Sequence, residues 1–131
     1  MPHIIIEYSA NLESNLDMQE IIDGLHQTAL ETGVFPLGGL RTRAARREQF
    51  RIADGHRDNT FIHVILKIGS GRDYETKKRA FDQMSGSLSD LLKATFASTP
   101  IGISIELVEI DPKFTYKLNN LHEYVKDRTS D

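Results

Sequence analysis

Residues Phe61–Arg72 read FIHVILKIGSGR. Ile62, Val64, Leu66 and Ile68 alternate with Phe61, His63, Ile65 and Lys67, the period of a β-strand with two distinct faces. The glycine-rich GSGR closes the run. A helix is expected from about Tyr74, capped by Asp73, because Phe81, Met84, Leu88, Leu91 and Leu92 recur at helical spacing. TPIGISIELVEI (99–110) then returns to strand alternation through Ile101, Ile103 and Ile105. Strand, helix and strand in that order make a β-α-β unit, whose two strands run parallel through a right-handed crossover.

About 60 residues earlier the same grammar appears. HIIIEYS (3–9) is β-branched and reads as a strand. LDMQEIIDGLHQTALETG (16–33) reads as a helix, with Asp17 as its cap and Glu20 as a capping-box partner. Leu16 and Ile21 occupy the staple positions, Ile21, Leu25 and Ala29 form the inward stripe, and Gly33 is a helix stop. VFPLGG is a turn, and LRTRAARREQFRI (40–52) reads as a long, broken strand or hairpin. The expected fold is therefore α+β, a two-layer sandwich. Tandem β-α-β units, spanning about 2–53 and 60–111, build a four-stranded mixed sheet with two helices on one face. Residues 1–131 are expected to form one domain, with 112–131 as a less regular tail. The second face of the sheet would carry His3, Ile5, Glu7, Phe61, His63 and Ile65. Three of these are too apolar for water, so another subunit is expected to cover them.

Composition narrows the function. The 131 residues contain no cysteine, which removes disulfides and thiol chemistry and fits a reducing compartment. No apolar run approaches the roughly 18 residues that span a membrane, and MPHIIIEYSANLE turns polar too soon for a signal peptide. A cytoplasmic location without membrane partners is the expectation. Net charge is −3, yet Arg41, Arg43, Arg46, Arg47, Arg51 and Arg57 crowd one stretch. Arginine's planar fork suits carboxylates and phosphates. The net negative charge and the lack of interleaved aromatics argue against nucleic acid as the partner. His3, His26, His56, His63 and His122 form no metal-ligand spacing, so no metal site is expected. GSGR lacks a following GK[ST] and is no phosphate loop; Gly69 and Gly71 instead shape a turn that aims Arg72.

Pro2 follows Met1. Proline is tolerated at a strand start, where its missing N–H costs no ladder bond. Removal of Met1 would expose a secondary amine, which in neutral form is a general base. If the two halves are related by a pseudo-twofold axis normal to the sheet, Pro2, Arg41 and Arg72 converge at one sheet edge. Two guanidiniums and apolar walls there would depress the amine's pKa and hold an anionic substrate.

The pieces PHIIIEYS, TGVFPLGGLRTR, FRIADG, FIHVILKIGSGR and EIDPKFTYKLNNLH, in this order and spacing, resemble the 5-carboxymethyl-2-hydroxymuconate isomerases of the tautomerase superfamily. The similarity runs to about His122; EYVKDRTSD adds nothing to it. The resemblance implies a homotrimer of tandem β-α-β units and a cofactor-independent isomerase that ketonises a hydroxymuconate in homoprotocatechuate degradation. It places the amino-terminal proline base on Pro2 and carboxylate-binding arginines on Arg41 and Arg72. It implies no metal or organic cofactor, and gives Arg43, Arg46 and Arg47 no role. Two other readings share the scaffold: a tautomerase, decarboxylase or hydratase of a related unsaturated acid, and a non-catalytic ferredoxin-like binding module.

Overall fold

The computed structural model describes residues 1–129. In β1 (His3–Ser9) Ile4, Ile6 and Tyr8 point into the core, while His3, Ile5 and Glu7 alternate onto the other face. β3 (Thr60–Gly69) does the same, with Ile62, Val64, Leu66 and Ile68 almost wholly buried. β2 (Arg41–Arg47) and β4 (Ile101–Ile110) flank this pair, giving the order β2-β1-β3-β4. β1 is parallel to β2, with His3 opposite Arg41, and antiparallel to β3, with Ile5 opposite Ile65. β3 is parallel to β4, with Thr60 opposite Ile101. These directions set one end of the sheet. The beginnings of β1 and β2 meet the finishing ends of β3 and β4 there.

α1 (Met18–Glu31) starts at Asp17, whose carboxylate accepts from the Gln19 N–H at 2.9 Å. That bond goes to the second helical residue, not the third as in a capping box. Met18, Ile21, Leu25 and Ala29 are its buried stripe. α2 (Tyr74–Leu91) is capped by Asp73, which accepts from the Thr76 N–H at 2.8 Å, and buries Ala80, Met84 and Leu88. The helices pack side by side over one sheet face, and Thr28 and Ser87 hydroxyls bond across the seam at 2.7 Å. The fold is α+β, with a four-stranded mixed sheet under helices.

Three local features differ from the sequence expectation. LRTRAARREQFRI is neither a long strand nor a hairpin: β2 ends at Arg47, and residues 48–59 form an irregular loop. The Asn11 amide pins that loop by donating to the Asn59 and Arg57 carbonyls, at 2.8 and 3.1 Å. Phe50, which suggested continued strand, stands 40 % exposed. The second helical run breaks at Leu92, and α3 (Lys93–Ser98) follows as a separate short turn. The tail also orders: after β4 the chain crosses back along the sheet end and enters α4 (Leu121–Thr129).

Ile5, Phe61 and Ile65 are half-buried on the face opposite the helices. On the segment after β4, Phe114, Tyr116 and Leu118 are each more than 85 % exposed. Among the described residues of a single chain, nothing covers these side chains fully.

Candidate active site

Pro2 is buried and begins the end of the sheet just defined. Its carbonyl accepts from the Arg41 N–H at 3.3 Å, extending the β1–β2 ladder by one rung. Arg41 therefore stands beside the amino terminus because β2 is parallel to β1. Its guanidinium has no hydrogen-bond or ion-pair partner among the described residues. Its neighbours in the arginine stretch are engaged: Arg43 with His3 at 3.0 Å, Arg46 with Glu13 and Glu48, and Arg47 with Glu7 at 2.7 Å. Arg43, Arg46 and Arg47 thus have structural partners, whereas Arg41 is left free to meet an anion.

Arg72 arrives from β3, antiparallel to β1, through a turn in which Gly71 takes φ +108°, a backbone state that side chains disfavour. The guanidinium donates to the Gly69 carbonyl at 3.1 Å and to the Val34 carbonyl at 3.3 Å. Its carbon lies 5.4 Å from the centre of the Phe35 ring, within cation–π range. Two carbonyls and a buried aromatic platform fix the fork in place, with further N–H groups to spare.

The segment between β4 and α4 brings residues that the sequence reading left aside. β4 finishes at this end because it is parallel to β3, so the chain leaves it beside the amino terminus. Asn119 donates to the Gly38 carbonyl at 3.0 Å and accepts from the Leu121 N–H at 2.8 Å, which tethers the strap and starts α4. His122 lies against Gly38, where a Cβ would come within 2.8 Å of the His122 Cα. Lys117, between these anchors and β4, reaches the amino terminus. One signal in the sequence pointed to this order: an Asn pair ahead of Leu121, the composition of a helix start.

Two adjoining clefts, of about 480 and about 310 Å³, share Met1, Gly69, Ser70 and Lys117. Pro2 and Arg72 line the larger, and Arg41 and His3 line the smaller. No carboxylate lines either cleft among the described residues. The structure therefore brings the three predicted positions to one rim and adds a third cation. Burial lowers the pKa of the Met1 amine, and the Lys117, Arg41 and Arg72 charges lower it further. Burial, then Arg43 and Arg41, lower that of His3, which favours the neutral imidazole. The Met1 amine marks the environment that a Pro2 amine would meet. With Met1 attached, the Pro2 nitrogen is an amide and has no basic lone pair. Chemically, the rim can bind a multiply charged anion, and its cations favour the unprotonated form of an amine placed there. No group of three or more metal-ligating side chains occurs among the described residues, and no helix is long and apolar enough to cross a membrane.

A family model for 5-carboxymethyl-2-hydroxymuconate isomerase matches residues 2–125. The chain is 32 % identical over 126 residues to the 5-carboxymethyl-2-hydroxymuconate Delta-isomerase of Escherichia coli, covering 96 % of this chain and all of that one. A crystal structure of a 5-carboxymethyl-2-hydroxymuconate isomerase from Deinococcus radiodurans R1 is 34 % identical, with a TM-score of 0.86 over 95 % of this chain and 93 % of that one. A further Delta-isomerase crystal structure is 28 % identical with a TM-score of 0.89, at the same two coverages. A fused 4-OT symmetric trimer shares the fold at 16 % identity, with a TM-score of 0.63 over 88 % of this chain and 93 % of that one.

Proposed function

Because the chain belongs to the 5-carboxymethyl-2-hydroxymuconate isomerase family, we propose that it ketonises 5-carboxymethyl-2-hydroxymuconate, with Pro2 as general base once Met1 is removed. The neutral secondary amine takes the proton of the 2-hydroxyl group. The electron pair left on oxygen becomes the C2 carbonyl, and the double bonds shift along the chain. The prolinium then returns the proton to carbon, in a 1,3- or 1,5-sense, and the base is regenerated. No atom is gained or lost and nothing is oxidised, so the step calls for no redox cofactor. Arg41 and Arg72 bind carboxylates, and their charge opposes the negative charge that grows on the dienolate. The observation that carries this reading is the amino terminus itself, half-buried among three cations with no carboxylate on the rim among the described residues. A base must be unprotonated near neutral pH, and this surrounding favours that form.

The reading extends to the assembly and the setting. The chain acts as one domain within a homotrimer, in the cytoplasm, in the degradation of homoprotocatechuate. Half-buried Ile5, Phe61 and Ile65, together with the exposed strap residues, support a protein partner on the open sheet face. The test is turnover, followed by ultraviolet absorbance, of 5-carboxymethyl-2-hydroxymuconate and a panel of related unsaturated acids, using protein whose first residue has been verified as Pro2. Ketonisation of the carboxymethyl substrate is expected. Decarboxylation or hydration of another acid without that isomerisation would overturn the assignment.

A further inference from the structure

A muconate carries two carboxylates on a conjugated, planar chain; its 5-carboxymethyl group adds a third on a freely rotating CH₂. The rim likewise offers three cations that have no carboxylate partner among the described residues: Arg41, Arg72 and Lys117. The third is positioned by the strap. Asn119 ties the chain to the Gly38 carbonyl at 3.0 Å, and His122 rests on Gly38, so Lys117 is held two residues from a fixed point. It lines both clefts, whereas each arginine lines only one. By contrast, Lys77 and Lys78 on α2 are spent on Glu109 and Asp82, at 2.9 and 2.8 Å.

Resting on the function proposed above, we infer that Lys117 binds the pendant carboxymethyl carboxylate and makes the site select a tricarboxylate over a dicarboxylate. The division of labour follows the side chains. Fixed forks suit the two carboxylates at the ends of a rigid chain, and Arg72 is fixed by two carbonyls and Phe35. A compact charge on a flexible stem suits a carboxylate that itself rotates. Lys117 also lies close enough to the amine to lower its pKa. That effect would act on every substrate alike, so it is separable from selection.

The experiment compares kcat/KM for 5-carboxymethyl-2-hydroxymuconate and for 2-hydroxymuconate, each taken at its pH-independent plateau, in wild type, Lys117→Met and Lys117→Arg. Where 2-hydroxymuconate does not turn over, its constant as a competitive inhibitor takes the place of kcat/KM. In Lys117→Met the ratio of tricarboxylate to dicarboxylate should fall by roughly ten- to a hundredfold, the scale of one charge-assisted contact. Lys117→Arg should restore most of it. An unchanged ratio in Lys117→Met, whether both substrates suffer equally or neither suffers, would overturn the inference while leaving the isomerase assignment intact. Wild type inactive on the carboxymethyl substrate would overturn both.

Discussion

Arg41 and Arg72 hold comparable charges in different ways, and their variants should behave accordingly. Arg72→Ala and Arg41→Ala should each lower kcat/KM for the anionic substrate by about ten- to a hundredfold. Arg72→Lys should recover little, because a lysine cannot span the Gly69 and Val34 carbonyls while lying on Phe35. The pH profile supplies a second readout. A Pro2 base would work only unprotonated, so activity should fall as pH drops through the amine's pKa. Burial and the neighbouring cations lower the pKa of the Met1 amine, and a Pro2 amine at this end of the sheet would face the same charges. Removing Arg72 or Lys117 should raise the Pro2 amine's pKa, leave more ammonium at neutral pH, and move the acid limb of kcat/KM upward; a limb that stays put would remove both charges from the amine's surroundings. At this scale the sequence was informative where topology fixed a position. Pro2, Arg41 and Arg72 follow from which strands run parallel. Lys117 was hidden because TYKLNN has no periodicity, and its place depends on where β4 leaves the sheet.

Among the elements, the two helices were legible because caps and apolar spacing agree: Asp17 and Asp73 both accept backbone N–H groups, and Met84 and Leu88 are buried where the helical period puts them. Leu88→Ala should therefore cost about 2–5 kcal/mol in a denaturant titration, as for other fully buried leucines. The loop after Arg47 departs from the strand expectation, since Phe50 and Ile52 prolong an apolar pattern whose hydrogen bonds go instead to Asn11 and within the loop. The strap is the element on which the proposed selectivity turns. In Gly38→Ala the new methyl would meet the His122 backbone, so α4 and Lys117 must shift while the sheet core is untouched. Unfolding of that variant should be close to wild type, and its preference for the carboxymethyl substrate should weaken. Undiminished preference would show that the tether at Gly38 does not place Lys117.

For the whole molecule, the alternation of β1 and β3 already showed an apolar second face, and no helix among the described residues covers it. The number of subunits came from family resemblance, since one chain's pattern shows an apolar face in need of cover but not how many copies would meet there. Sedimentation equilibrium should give about three times the 14.8 kDa chain mass. Charge placed on that face, as in Ile65→Lys, should favour smaller species. A wild-type monomer that is stable and active would remove the reading of Ile5, Phe61 and Ile65 as an interface.

The central claim is that the Pro2 nitrogen takes the proton. Two preparations of the same chain, one processed to Pro2 and one proven by intact mass to retain Met1, should share secondary structure and association state, because a proline is tolerated at the strand start in either form. Their turnover of 5-carboxymethyl-2-hydroxymuconate, measured side by side, should differ completely: processed protein is active, and protein keeping Met1, with an amide at Pro2, is not. Full activity in the Met1-retaining preparation would contradict the assignment of Pro2 as the base.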